Sequence, residues 1–399
     1  MSDPYGPQYP DDDGFTARMR FHQSWWRHER LCEQVGTDPK DNPYGNYLTA
    51  LAAGAGRNFL NASIAAYAAE RISAGGGVEE FRCTRNLLSS QPMAFNLFGP
   101  LHLDADLARV LLQPLLPHGV SEATVDIEWA PDRKTHLKDA TSFDVVVHYK
   151  TADGKAAIAA IETKLTEPFS RKKYDTPRYR EVAAKSSVWA DPTSPELARV
   201  AWNQVWRNHL LVEAIRQQPE ADADLLGYAI VVHHPADERC IRATDGYRAL
   251  LAPPPESFLV LTLTEIVETW QPVVAQTAHV EWLGDFTDRY LNLELSEDAW
   301  SARTSDDGAP SPTPEISTVS TMSFPPASPL AQAAVERAAG DLRASGVSSV
   351  TPPELFAAAN DAAWDLGYML SSADVWTAVY AWKGFDYGNP PPDDTPMSL

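Results

Sequence analysis

Residues 142–170 read SFDVVVHYKTADGKAAIAAIETKLTEPFS. Two apolar runs, Val145 to Val147 and Ala156 to Ile161, flank Asp153-Gly154, a dipeptide that favours the tight turn of a β-hairpin. Continuous apolar runs, unlike strict alternation, predict strands covered on both faces in the middle of a sheet. Acidic residues stand where buried strands tolerate them least: Asp144 opens the first strand and Glu162 ends the second. Side chains two apart on a strand share a face, so Glu162 and Lys164 point one way, Ile161 and Thr163 the other. The hairpin lets Asp144 lie near them. Burial without a partner costs roughly 2–7 kcal/mol even for a neutral polar group, and more for an ion. A divalent metal between the two carboxylates, with a lysine beside it, relieves that cost.

Asp144, an interval of seventeen residues and then Glu162-Thr163-Lys164 resemble the D…(D/E)xK signature of the PD-(D/E)xK nuclease superfamily, the restriction-endonuclease-like fold. Two other stretches, LLSSQPMAFNLFGPL at 87–101 and Phe21-His22-Gln23-Ser24-Trp25, look like segments of a bacterial family of restriction endonucleases within it. The resemblance covers roughly Arg18 to Pro235. It implies Mg²⁺ or Mn²⁺ as cofactor, held by Asp144, Glu162 and the carbonyl of Thr163. Lys164 then orients or deprotonates the attacking water. Gln204-Val205-Trp206-Arg207-Asn208 is similar to the glutamine-bearing helix that follows the ExK strand, with Arg207 and Asn208 departing from the better-known Q…Y form. The implied reaction is hydrolysis of phosphodiester bonds in nucleic acid, DNA first, by an endonuclease of restriction or defence type. Catalytic roles fall on Asp144, Glu162, Lys164 and Gln204.

Candidate substrate contacts come from three places. After Glu167-Pro168 the chain reads SRKKYDTPRYR, either a solvated loop or a phosphate-contacting one that offers Arg171, Lys172, Lys173 and Arg178. Gln204, Arg207 and Asn208 share one helix face at i, i+3 and i+4, which adds Arg207 and Asn208. Within 87–101, Gln91 and Asn96 are polar in an apolar run; they face substrate or sit as satisfied side chains in a buried helix. The adjacent His233-His234 alternate faces and cannot both enter one site.

Length and composition bound the rest. The chain has 399 residues, 44% of them hydrophobic, and 12 tryptophans, enough for two or three folded domains. No run of 18 uncharged apolar residues occurs, and the start MSDPYGPQYPDDD does not read as a signal peptide. A cytoplasmic protein without a membrane partner is expected. Cys32, Cys83 and Cys240 are far apart and odd in number, which predicts buried thiols and neither a zinc site nor a disulfide.

A net charge of -21 opposes nucleic-acid binding, yet it is unevenly spread. From Pro131 to Arg180, 11 Lys and Arg stand against 7 Asp and Glu; from Asp285 to Leu399, 5 stand against 17. The candidate site is locally basic, and the acidity gathers in a carboxy-terminal region read as a surface for a protein partner. A homodimer is left open.

Along the chain, residues 1–16 are expected to be disordered and 17–300 to form the nuclease-like domain with a helical extension. Helices are expected at 17–35, 58–73, 104–115 and 195–217, and strands at 123–129, 225–234 and 258–263. Gly54-Ala55-Gly56 is a turn before a helix, since Phe59 stands where GxGxxG needs glycine. Residues 301–328, rich in Ser, Thr and Pro, read as a linker. Helical stretches at 329–345, 353–367 and 372–382 form a small domain spanning 329–385, and 386–399 a disordered tail. The order after residue 82 predicts an α/β fold with an αβββαβ core, a mixed sheet flanked by helices. The rival reading is a non-catalytic scaffold on the same fold, which has no use for bound Mg²⁺. An ATP-driven enzyme is excluded, because the sequence holds no P-loop.

Overall fold

The computed structural model describes residues 3–306 apart from 76, 220 and 223, residues 329–350 apart from 346, and a few short pieces between 354 and 398. Contacts divide the chain into two units, Met1–Gly308 and Ala309–Leu399.

The first unit opens with α1 (Gly14–Trp25), capped by Asp13, whose side chain accepts from the Thr16 amide. Residues 3–13, expected to be disordered, are instead tied down. The buried Arg27 guanidinium donates to the carbonyls of Pro4 and Gly45, and the Gly45 amide donates to Pro7. The helix expected over 17–35 ends early. A π turn at Trp26–Arg30 is followed by Cys32 in the left-handed region (φ 54°), and then by β1 (Val35–Thr37) paired antiparallel with β2 (Pro43–Leu48). Five helices follow: α2 (Ala50–Gly54), α3 (Ala62–Ala74), α4 (Glu80–Arg85), α5 (Ser90–Leu103) and α6 (Ala105–Leu112). Of the cysteines, Cys83 and Cys240 are buried as expected, but Cys32 is exposed.

Strands β3 (Glu122–Trp129), β4 (Phe143–Lys150) and β5 (Ala156–Lys164) come next, then helices α7 (Pro177–Ala184) and α8 (Asn203–Arg216) and strand β6 (Leu226–His233). Helix α9 (Glu238–Arg248) leads to β7 (Phe258–Thr262), and α10 (Leu263–Val274), α11 (Val280–Tyr290) and α12 (Glu297–Asp306) finish the unit. The stretch 195–217 is not one helix: two 3₁₀ turns precede α8, because Arg199 is extended (ψ 137°). Helix α12 runs into the first residues of the expected linker; 307–328 lie outside the described residues.

The five-stranded sheet has the order β3-β4-β5-β6-β7. β3, β4 and β5 pair antiparallel, while β5–β6 and β6–β7 are parallel. Gly154, at φ 85°, allows the β4–β5 turn. Val145, Val147, Ala159, Ile161, Ile230 and Val232 face one side, against α5, α6 and α10. Val146, Ile158, Ala160, Ala229 and Val231 face the other, under α8. The expected mixed sheet with both faces covered is what forms, and β5 is its centre. Gly227 lets α8 approach β6: a Cβ there would lie 2.6 Å from Val212 Cγ1 and 2.5 Å from Arg216 Cδ.

The second unit contains α13 (Pro329–Ala344), whose Ala331, Val335 and Ala339 pack with Leu355, Ala359 and Val379. Strands β8 (Ser349–Val350) and β9 (Met397–Ser398) pair antiparallel, so the expected disordered tail holds a strand at 397–398. The helices expected over 353–367 and 372–382 lie mostly outside the described residues. No helix among the described residues is long and apolar enough to cross a membrane.

Candidate active site

Glu162 and Lys164 sit at the carboxyl end of the central strand β5, where its parallel pairing with β6 places a crevice in open α/β sheets. Both are nearly buried, 3% and 7% exposed. Lys164 Nζ lies 2.5 Å from Glu162 Oε1. Gln204 Nε2 donates to the same oxygen at 2.6 Å, and Asn208 Nδ2 donates to Oε2 at 2.7 Å. Gln204 and Asn208 are one turn apart on α8, so one helix face supplies both donors. Glu162 thus accepts three hydrogen bonds in a place with little water, which fixes its carboxylate in one orientation.

Asp144 is half-buried at the start of β4. Its Oδ2 accepts from the Thr163 amide at 2.8 Å and from Thr163 Oγ1 at 3.0 Å. A strand residue points its N–H and C=O to the same edge, so the Thr163 carbonyl also turns towards Asp144. Burial and the neighbouring Glu162 raise the Asp144 pKa to about 7, against the pull of Lys164 and the Thr163 donors. For Lys164, burial opposes the charge, but Glu162 and Asp144 outweigh it and hold the ammonium above its ordinary pKa.

A third carboxylate completes this end of the sheet, and no sequence pattern pointed to it. Glu128 is 5% exposed and has φ 54°, a left-handed conformation inside a strand. Ile127 pairs with Val145 and Trp129 with Phe143, so Glu128 stands at the level of Asp144. Strand alternation breaks there: Ile127 packs on one face of the sheet, while Trp129 packs on the other, stacked on Phe143 at 5.7 Å. Such a kink re-aims a side chain. Burial raises the Glu128 pKa to about 8, helped by Asp144 and Glu162 and opposed by a 2.5 Å hydrogen bond from Gln91 Nε2. Beside it, Arg82 bridges to Glu167 at 2.8 Å, and Glu167 Oε1 accepts from the Ser90 amide at the start of α5. Burial opposes the Glu167 charge, but Arg82 and the Ser90 N–H keep its pKa below the usual carboxylate value.

A family model described as the PD-(D/E)XK nuclease superfamily matches residues 10–292. The chain belongs to that superfamily. No curated protein and no solved structure matches it.

For this PD-(D/E)XK chain the expected residues divide into four groups. Asp144, Glu162, Thr163, Lys164, Gln204 and Asn208 come together as described, and Gln91 reaches them through Glu128. Arg207 stands one layer back. It bonds the Tyr179 hydroxyl at 3.2 Å and Thr141 Oγ1 at 2.9 Å, and lies 4.2 Å over the Tyr174 ring. Arg178 donates to the His136 carbonyl and pairs with Glu181, while Arg171, Lys172 and Lys173 are exposed on the segment between β5 and α7. Asn96 does not belong to the site. It is 0% exposed, accepts from the Leu60 amide, and donates to the Asn58 carbonyl and the Tyr290 hydroxyl. His233 and His234 are buried: His233 Nδ1 donates to the His234 carbonyl, and the His234 ring packs on Phe15.

Among the described residues no three carboxylate, imidazole or thiol groups converge as a ready-made metal cage. The oxygen donors at this end of the sheet are the Asp144 and Glu162 carboxylates and the Thr163 carbonyl. That all-oxygen set suits a hard cation such as Mg²⁺, which takes one or two carboxylates and keeps several waters.

Proposed function

We propose that this chain is a divalent-metal-dependent nuclease that hydrolyses phosphodiester bonds of DNA, an endonuclease of restriction or defence type. One observation carries the reading: in a PD-(D/E)XK chain, Asp144, Glu162 and Lys164 meet at the end of the central strand, held by Thr163, Gln204 and Asn208. Asp144, Glu162 and the Thr163 carbonyl would hold Mg²⁺ or Mn²⁺. The bound cation supplies a lowered water pKa and neutralises charge on the scissile phosphate. Lys164, kept charged by Glu162 and Asp144, acts as a hydrogen-bond donor that orients the attacking water and stabilises charge developing on the phosphate. Gln204 and Asn208 stop Glu162 from turning away. Lys172 and Lys173, exposed beside the site, offer positive charge to the backbone of the duplex.

The test is incubation of the purified protein with plasmid, linear and single-stranded DNA and with RNA, in Mg²⁺, Mn²⁺ or EDTA. Expected is cleavage of DNA that needs the metal and is lost in E162Q. Metal-independent cleavage, or none on any substrate with either metal, rejects the reading. Preferential cleavage of RNA rejects its substrate alone.

A further inference from the structure

The end of the sheet holds two carboxyl groups that its ion pairs leave out. Four carboxylates lie at this end: Glu128, Asp144, Glu162 and Glu167. Lys164 pairs with Glu162 and Arg82 with Glu167, and neither pair includes Glu128 or Asp144. Two carboxylates facing each other across a strand pair repel, more strongly where water is excluded. A chain without use for Glu128 would place an apolar residue at this level of β3.

The fold instead devotes several side chains to presenting it. β3 is the edge strand of the sheet, and α3 takes up backbone groups around Glu128. The Ile127 amide donates to the Tyr67 hydroxyl at 3.1 Å. Arg71 donates to the Ile127 carbonyl at 3.0 Å and to the Glu128 carbonyl at 2.8 Å. Gln91, in the first turn of α5, then holds the carboxylate itself. Carboxylate and backbone are thus restrained from two helices, neither of which belongs to the sheet.

We propose that Glu128 is a working carboxylate of the cation site. It stands across the β3–β4 pair from Asp144 and adds the charge needed to balance a divalent ion, acting across the ion's water shell. The inference rests on the metal-dependent reading above and adds a residue to it. Mg²⁺ keeps several of its waters in protein sites, so an outer carboxylate is a natural element of its binding. Outer groups of this kind typically contribute about 10–100-fold to metal affinity. The role is one of positioning and charge, so the test reads the metal and not turnover alone.

Mn²⁺ binding by calorimetry and thermal unfolding with and without Mn²⁺ are measured on the full chain as wild type, E128Q and D144N. E128Q is expected to bind Mn²⁺ about 10–100-fold more weakly, while unfolding without metal at the same temperature as wild type or higher. Unchanged affinity in E128Q with weakened binding in D144N overturns the inference and leaves the metal site standing. A metal-free E128Q that melts lower, with the full Mn²⁺ increment retained, also overturns it and makes Glu128 structural. A wild-type chain that binds no Mn²⁺ sinks the underlying reading, and this inference with it. Should E128Q not fold, Gln91→Met keeps all four carboxylates and releases Glu128, together with the Glu79 amide and the Gly77 carbonyl that Gln91 also bonds. Weakened Mn²⁺ binding then supports the proposal, and unchanged binding overturns it.

Discussion

Lys164 has two partners in prospect, a carboxylate and a phosphate, and substitution tells which matters more. Glu162→Gln keeps the shape and the hydrogen bond from Asn208 but removes the charge. It should abolish cleavage and lower Mn²⁺ affinity, and, because it leaves the buried Lys164 ammonium without its carboxylate partner, it should also lower the unfolding temperature of the metal-free protein. Lys164→Ala leaves both carboxylates, so the metal should still bind while turnover falls by about 10²–10⁴-fold, the usual range for a proton-handling or orienting group. A lysine serving only as a structural counter-ion behaves otherwise: breaking a buried pair costs roughly 3–5 kcal/mol. Unfolding of Lys164→Ala with wild-type specific activity in the folded fraction would exclude the catalytic role. Asp144, Glu162 and Lys164 were legible in the sequence because charged residues at the ends of apolar strands are conspicuous. Glu128 was not, since its place depends on Arg71 and Tyr67, more than 50 residues upstream. Asn96 misled for the opposite reason: a polar residue in an apolar helix signals either a site or a satisfied core amide, and its partners, Leu60, Asn58 and Tyr290, are remote.

At the scale of elements, α8 ties β5 to the basic segment before α7. Gln204 donates to Glu162, and its Oε1 accepts from the Ser170 amide at 2.7 Å. Asn203 exchanges two bonds with the Tyr174 backbone, and Arg207 covers the Tyr174 ring. The first turn and a half of α8 therefore fixes both a carboxylate and the backbone that carries Lys172 and Lys173. Asn208 touches only the carboxylate. Asn208→Ala should therefore lower kcat and metal affinity and leave KM for DNA nearly unchanged, with a stability cost of about 1–3 kcal/mol for the lost donor. Gln204→Ala should change kcat and KM together. Equal effects of the two variants on KM would mean that the basic segment is not held through Gln204. The face of α8 could be read from i, i+3, i+4 spacing, but Arg207 as a brace could not, because its partners are two tyrosines of a segment taken for a loop and Thr141, just before β4. Helix α7 there carried a usable signal, Thr176 as N-cap and Pro177 at the first position, which the density of basic residues masked.

The whole first unit couples its folding to pH through groups of opposite sign. Three buried histidines are held neutral. Burial, with Arg18 and Arg289 adding to it, pushes His22 down to about 4 against the pull of the Asp288 carbonyl; its Nδ1 meets Ser296. Burial pushes His234 down to about 4, with His233 and His22 adding to it. His209, between the Tyr247 hydroxyl and Ser257, is pushed down to about 3 by burial and by Arg216. In the unfolded chain each returns to about 6.5 and takes up a proton first. Their stabilisation is complete above pH 6.5 and is lost as pH falls from there towards 4. A tenfold change in proton affinity on folding is worth about 1.4 kcal/mol, so each histidine contributes on the order of 3 kcal/mol to that loss. Asp144 and Glu128 act in reverse. Their folded values of about 7 and about 8 lie above the unfolded ones, so without metal their stabilisation is present at low pH and is lost as pH rises to 8. The metal-free protein should therefore melt highest near pH 6–7, with an acid limb set by the histidines and an alkaline limb set by the carboxylates. Mn²⁺ needs charged carboxylates, so it should raise the alkaline limb and leave the acid limb where it is. Unfolding temperatures measured from pH 4 to 8.5, with Mn²⁺ or EDTA, check both halves. A Mn²⁺ increment as large at pH 5 as at pH 8 would show that these carboxylates do not meet the ion. In the double variant D144N/E128Q, which lacks the opposing carboxylates, a melting temperature that stays flat between pH 6.5 and 4.5 would show that the histidines are already charged in the fold.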